Sequence, residues 1–100
     1  MALDFHRIDT NEYQFGINDT EYGHLESVFI EFTQQTGIFI DPYGDTLLKV
    51  THLKMIIQMI DTILTAKSNT DKEKTKVIHK FRTRIAYFSD KGITLKALGD

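Results

Sequence analysis

Three stretches of this chain repeat apolar residues at helical spacing, and each is bounded by residues that start or stop helices. In the first, Leu25, Val28, Phe29 and Phe32 fall at i, i+3, i+4 and i+7, which is one face of an α-helix. Asn18-Asp19-Thr20 offers an N-cap and Gly37 a left-handed C-cap, so the spacing predicts a helix over about 20–35. In the second, about 51–66, Leu53, Ile56, Ile57, Ile60, Ile63 and Leu64 form the stripe and Met55 and Met59 widen it. A helix so apolar around its circumference is expected at the centre, contacted on more than one side. The third, about 71–89, opens on Thr70-Asp71-Lys72-Glu73, a capping-box pattern, and buries Val77, Ile78, Phe81, Ile85 and Phe88 before Gly92 ends it.

Between and beyond the helices the period changes to two. Tyr13, Phe15 and Ile17 alternate with Gln14 and Gly16, so 13–17 reads as a strand. Ile38-Phe39-Ile40 reads as a second strand, 38–41, ending in the turn Asp41-Pro42-Tyr43-Gly44. Ile93, Leu95 and Ala97 make a third, 93–97. Residues 1–12 alternate poorly and read as a tail or a first short strand, and 46–50 as a returning strand or a lead-in to the second helix. The expected fold is α+β, three helices on a small sheet; the alternative is an all-α bundle with ordered extended ends. One hundred residues with 41% hydrophobic content supply one modest core, hence one compact domain, 1–100.

Several function classes lose support at once. There is no cysteine, so disulfides and thiolate chemistry drop out, in keeping with a reducing compartment. Met1–Arg7 has no basic-then-apolar leader pattern, and the longest apolar window, Met55 to Leu64, is broken by Gln58 and Asp61. A soluble cytoplasmic protein with no membrane association is the expectation. Ser27, Ser68 and Ser89 lie in no nucleophile elbow. His6, His24, His52 and His79 make no metal-ligand spacing, and Asp41 and Asp45 lack the ladder of oxygens that a calcium loop needs. No glycine-rich phosphate loop occurs. The residues point to a chain that is not an enzyme and holds no metal or cofactor.

Charge is what remains. Residues 1–46 carry nine acids against Arg7 alone, net −8, while 47–100 carry eleven Lys and Arg against five acids, net +6. The acids outside the helix-one stripe include Glu26 and Glu31, and Asp41 and Asp45 bracket Tyr43 on a turn tip. An aromatic between carboxylates suits recognition of a basic protein, the ring supplying area and the acids steering. In the third helix Lys72, Lys76, Lys80 and Arg84 repeat every four residues, a stripe able to follow phosphates. The overall pI near 6.0 opposes general affinity for nucleic acid. Should the acidic set and the basic stripe meet within the fold, the split is internal electrostatics; should they not, it is a surface property that calls for a partner.

Small size without a catalytic motif, the segment Thr36-Gly37-Ile38-Phe39-Ile40-Asp41-Pro42-Tyr43-Gly44-Asp45-Thr46 before an apolar helix, and the ending Gly92-Ile93-Thr94-Leu95-Lys96-Ala97-Leu98-Gly99-Asp100 stand together in this chain. In these features it resembles the small immunity proteins made beside bacterial toxins used in competition between cells. The resemblance implies tight binding to one cognate toxin, often a nuclease, whose basic surface an acidic inhibitor face would match. The expected function is therefore a non-enzymatic inhibitor acting through Glu26, Glu31, Asp41, Tyr43 and Asp45, as a monomer or a homodimer. The alternative is a nucleic-acid-binding regulator using Lys72, Lys76, Lys80 and Arg84.

Overall fold

In the computed structural model, which describes residues 3–40, 44–65 and 72–99, the elements run β1 (Leu3–Arg7), β2 (Tyr13–Ile17), α1 (Asp19–Thr36), β3 (Asp45–Leu48), α2 (Val50–Thr65), α3 (Lys72–Lys91) and β4 (Leu95–Gly99). The fold is α+β, three helices and a four-stranded antiparallel sheet in the order β2-β1-β4-β3.

The helix ends obey local chemistry. The Asn18 side chain accepts from the Glu21 N–H at 2.8 Å, and the Glu21 carboxylate accepts from the Asn18 N–H at 3.0 Å. This reciprocal capping box satisfies two of the donors that a helix start leaves unpaired. Gly37, at φ 77°, donates to the Thr33 carbonyl at 2.7 Å and closes α1. At the end of α3, Gly92 adopts φ 69° and donates to Ser89 O, while Ile93 N–H reaches back to Phe88 O, the paired bonds of a Schellman motif. Thr70 and Asp71 of the expected α3 capping box lie outside the described residues.

Gly92 has open space where a Cβ would go, so its cost to substitution is conformational alone. Gly92→Ala should destabilise by about 1 kcal/mol, the penalty of a left-handed L-residue. That lowers the thermal midpoint by roughly 4–8 °C for a domain of this size. An unchanged midpoint would mean that α3 ends in some other way.

Of the two readings left open for residues 1–12, a tail or a first short strand, the strand holds over Leu3–Arg7: β1 lies inside the sheet between β2 and β4, with Leu3 and Phe5 fully buried. One strand expectation needs correction. Residues 38–40 form no strand. Their backbone groups are satisfied mainly by side chains instead of a ladder. Thr33 Oγ1 donates to Ile38 O at 2.8 Å, Thr46 Oγ1 donates to Phe39 O at 2.7 Å, and the Ile38 N–H donates to Thr36 Oγ1 at 3.1 Å. The returning strand is β3, and α2 follows it after Lys49.

One face of the sheet is covered. Leu3, Phe5, Phe15, Ile17, Leu48, Leu95 and Ala97 point into the core with Leu25, Val28, Phe29 and Phe32 of α1, Leu53, Ile56 and Ile60 of α2, and Ile78, Phe81 and Ile85 of α3. α2 touches α1, α3 and β3 and so is contacted on more than one side, while α1 and α3 also touch each other. Met59 is buried and Met55 half-buried against the same core. An aromatic cluster joins the layers: Phe81 of α3 lies edge-on to Phe5 at 5.7 Å, Phe15 at 6.2 Å and Phe29 at 5.7 Å, and Phe5 stacks on Phe15 at 4.6 Å. No buried side-chain nitrogen or oxygen among the described residues lacks a hydrogen-bond partner.

Candidate protein-binding surface

α1 carries four carboxylates, Asp19, Glu21, Glu26 and Glu31, and no Lys or Arg. The fold uses them differently. Glu21 is spent on the cap and also meets Lys80 of α3 at 3.8 Å. Glu31 is exposed and accepts from the Gln35 amide at 2.8 Å. Glu26 is exposed and has no Lys, Arg or His within salt-bridge distance among the described residues. Five residues apart, Glu26 and Glu31 are turned about 140° from each other around the helix, so they do not share one cleft.

Glu26 lies on a cleft of about 240 Å³ between α1 and residues 39–40, lined also by Tyr22, Phe29, Ile30, Thr33 and Phe39. Its walls are mostly apolar, and two of them face solvent: Phe39 is 72% exposed and Ile30 51%. Phe39 is turned outward because its neighbours are turned inward. Ile40 is buried and Ile38 half-buried against the core, so the extended alternation leaves Phe39 pointing away. The Tyr22 hydroxyl donates to Ile40 O at 3.4 Å and helps tie this segment to α1.

The other expected contact residues are dispersed. Asp45 is exposed on β3, and the burial alternation there places it on the sheet face away from the helices. Asp41 and Tyr43 lie outside the described residues. Reading the sequence missed Phe39 and Ile30. The alternation Ile38-Phe39-Ile40 did carry the signal, since a segment whose flanking residues turn inward exposes its middle one.

The basic stripe is partly used within the fold. Lys80 meets Glu21, and the Arg84 guanidinium lies 5.2 Å over the Phe15 ring, a cation–π arrangement. Lys72 and Lys76 are exposed. Arg82, beside the stripe, forms a two-pronged pair with Asp61 of α2, at 2.6 and 3.1 Å. The acidic set and the stripe therefore meet at Glu21 and Lys80, while Glu26, Glu31 and Asp45 are left facing outward.

The Arg82 hydrogen bonds hold the Asp61 carboxyl below the usual carboxylate range, against a smaller opposing effect of desolvation. The same cause, Arg7, lowers Asp9. A carboxylate whose folded-state pKa is depressed contributes stability above its unfolded pKa and loses it as pH falls through the folded one. Urea midpoints of the wild type should thus fall more steeply than those of Asp61→Asn as pH drops below the ordinary carboxylate range. Parallel pH curves would show that the pair contributes nothing. Both groups are exposed, so the difference should be small.

Among the described residues, no three His, Asp or Glu side chains converge to hold a metal ion, and no helix is long and apolar enough to cross a membrane. No family model, curated protein or solved structure matches this chain.

Proposed function

We propose that the chain is a protein-binding inhibitor of the immunity type, which engages the basic surface of a cognate toxin in the cytoplasm through the acidic face of α1. The observation that carries this reading is the division of labour among the carboxylates. Glu21 is consumed by the cap and by Lys80, whereas Glu26 and Glu31 face solvent with no cation of the described fold beside them. Exposed charge that the fold does not neutralise raises encounter rates with an opposite surface and rejects like-charged ones. Nucleic acid is disfavoured as the partner because Lys80 and Arg84 are drawn into contacts with Glu21 and Phe15.

The test is capture of the native partner by the tagged chain, followed by co-expression of the two. The captured protein should present a basic surface, arrest growth when expressed alone, and be neutralised by this chain. A captured partner with an acidic contact surface, or one whose activity this chain leaves intact, would sink the reading.

A further inference from the structure

We infer that the cleft between α1 and Phe39 is the seat of the partner, and that its occupant is a segment presenting an aliphatic side chain next to a Lys or Arg. The inference rests on the reading of α1 as an acidic protein-binding face and adds where, and by what chemistry, the contact is made.

The cleft has two components. Its floor and walls are apolar: Phe29 below, with Ile30 and Phe39 exposed at the sides. Phe39 is the most exposed of the large apolar residues described, and burying such a ring at a contact removes a large apolar area from water at low entropic cost. Its rim is charged: Glu26 lies one turn before Ile30 on the same side of α1 and lines the cleft. Because α1 has no Lys or Arg, the helix itself offers Glu26 no cation, and an occupant of the cleft has to bring one. A wholly apolar occupant would leave Glu26 at the rim partly dehydrated with no cation to offset that cost. An acidic occupant would be repelled. An aliphatic group for the cleft and a cation for Glu26 satisfy both components. The size agrees, since about 240 Å³ admits one or two aliphatic side chains and no folded element. A second copy of this chain is the competing occupant.

The probe is a short fluorescein-labelled peptide of Leu and Lys in an amphipathic helical pattern, compared with the same peptide carrying Ser in place of every Leu. Fluorescence anisotropy at low salt should show the Leu/Lys peptide binding the full chain at least about tenfold more tightly than the Ser/Lys peptide. Phe39→Ala and Ile30→Ser should each remove most of that preference. Because both residues are largely exposed, the thermal midpoints of these variants should stay at the wild-type value. Glu26→Gln should weaken both peptides, and amide resonances of Glu26, Ile30, Thr33 and Phe39 should move on titration.

Two failures are distinguishable. If neither peptide binds at low salt, the acidic-face reading itself is wrong. If both bind equally and the Phe39 and Ile30 variants match wild type, the acidic face stands and the cleft inference is overturned. Shifts centred on the open sheet face, at His6, Tyr13 and Leu47, would also overturn it. So would concentration-dependent dimerisation abolished by Phe39→Ala, which would make a second copy the occupant.

Discussion

Phe81→Ala should destabilise the protein by about 3–5 kcal/mol, the range for removing a buried phenyl ring. Phe81 is 2% exposed and touches the rings of Phe5, Phe15 and Phe29. It therefore joins the central strand β1, the edge strand β2 and helix α1 to α3. Truncation removes the transfer free energy of the ring and leaves a cavity whose walls belong to three different elements, so no single side chain can fill it. Domains of this size hold only about 5–15 kcal/mol in total, so the variant should be close to unfolding. Chemical denaturation is the measurement: the midpoint should fall sharply at nearly constant slope. Phe81→Leu should cost less, because part of the volume is kept. A loss below about 1 kcal/mol for the alanine variant would mean that these layers are not held together as described.

The second large effect concerns association. With the captured partner, Glu26→Lys combined with Glu31→Lys should lower the association rate by about 10- to 1,000-fold at low ionic strength, the span that electrostatic steering covers. The dissociation rate should respond chiefly to Glu26, which alone of the two lines the cleft. Raising salt toward 0.1 M, where screening acts over about 10 Å, should narrow the gap between wild type and variant. Asp45→Lys is the internal control for Glu26→Lys alone: it makes the same charge change on the sheet face away from the helices and should change the rate much less. Asp9→Asn is another, since Asp9 is held by Arg7 at 2.8 Å. Equal effects at Glu26 and Asp45 would assign the steering to net charge and not to α1.

Much of the helical layer was legible along the chain. Asn18, Glu21 and Gly37 bound α1, and Gly92 closes α3, because caps are made by residues three to five positions apart. Leu25, Val28, Phe29 and Phe32 mark the buried side of α1 for the same reason. The sheet was read less well. Leu3 and Phe5 are too few to decide between a tail and a strand within a segment rich in acids, and β1 takes its interior position only by pairing with the C-terminal β4. Ile38–Ile40 has strand chemistry but no adjacent ladder, since Thr33, Thr36 and Thr46 take up its backbone groups.

The candidate surface divides in the same way. That the first half of the chain is acidic and α1 carries no Lys or Arg is a property of the sequence, because charge needs no fold to be counted. Which carboxylates meet a cation of the fold was decided by tertiary structure: Lys80 reaches Glu21 only because α3 packs on α1. Phe39 likewise joins Ile30 and Glu26 at one cleft only because Ile38 and Ile40 are drawn into the core. Helix formation depends on neighbours a turn apart and can be read along the chain. Strand pairing, charge neutralisation and the exposure of one ring depend on residues far apart in sequence, and packing alone brings those together.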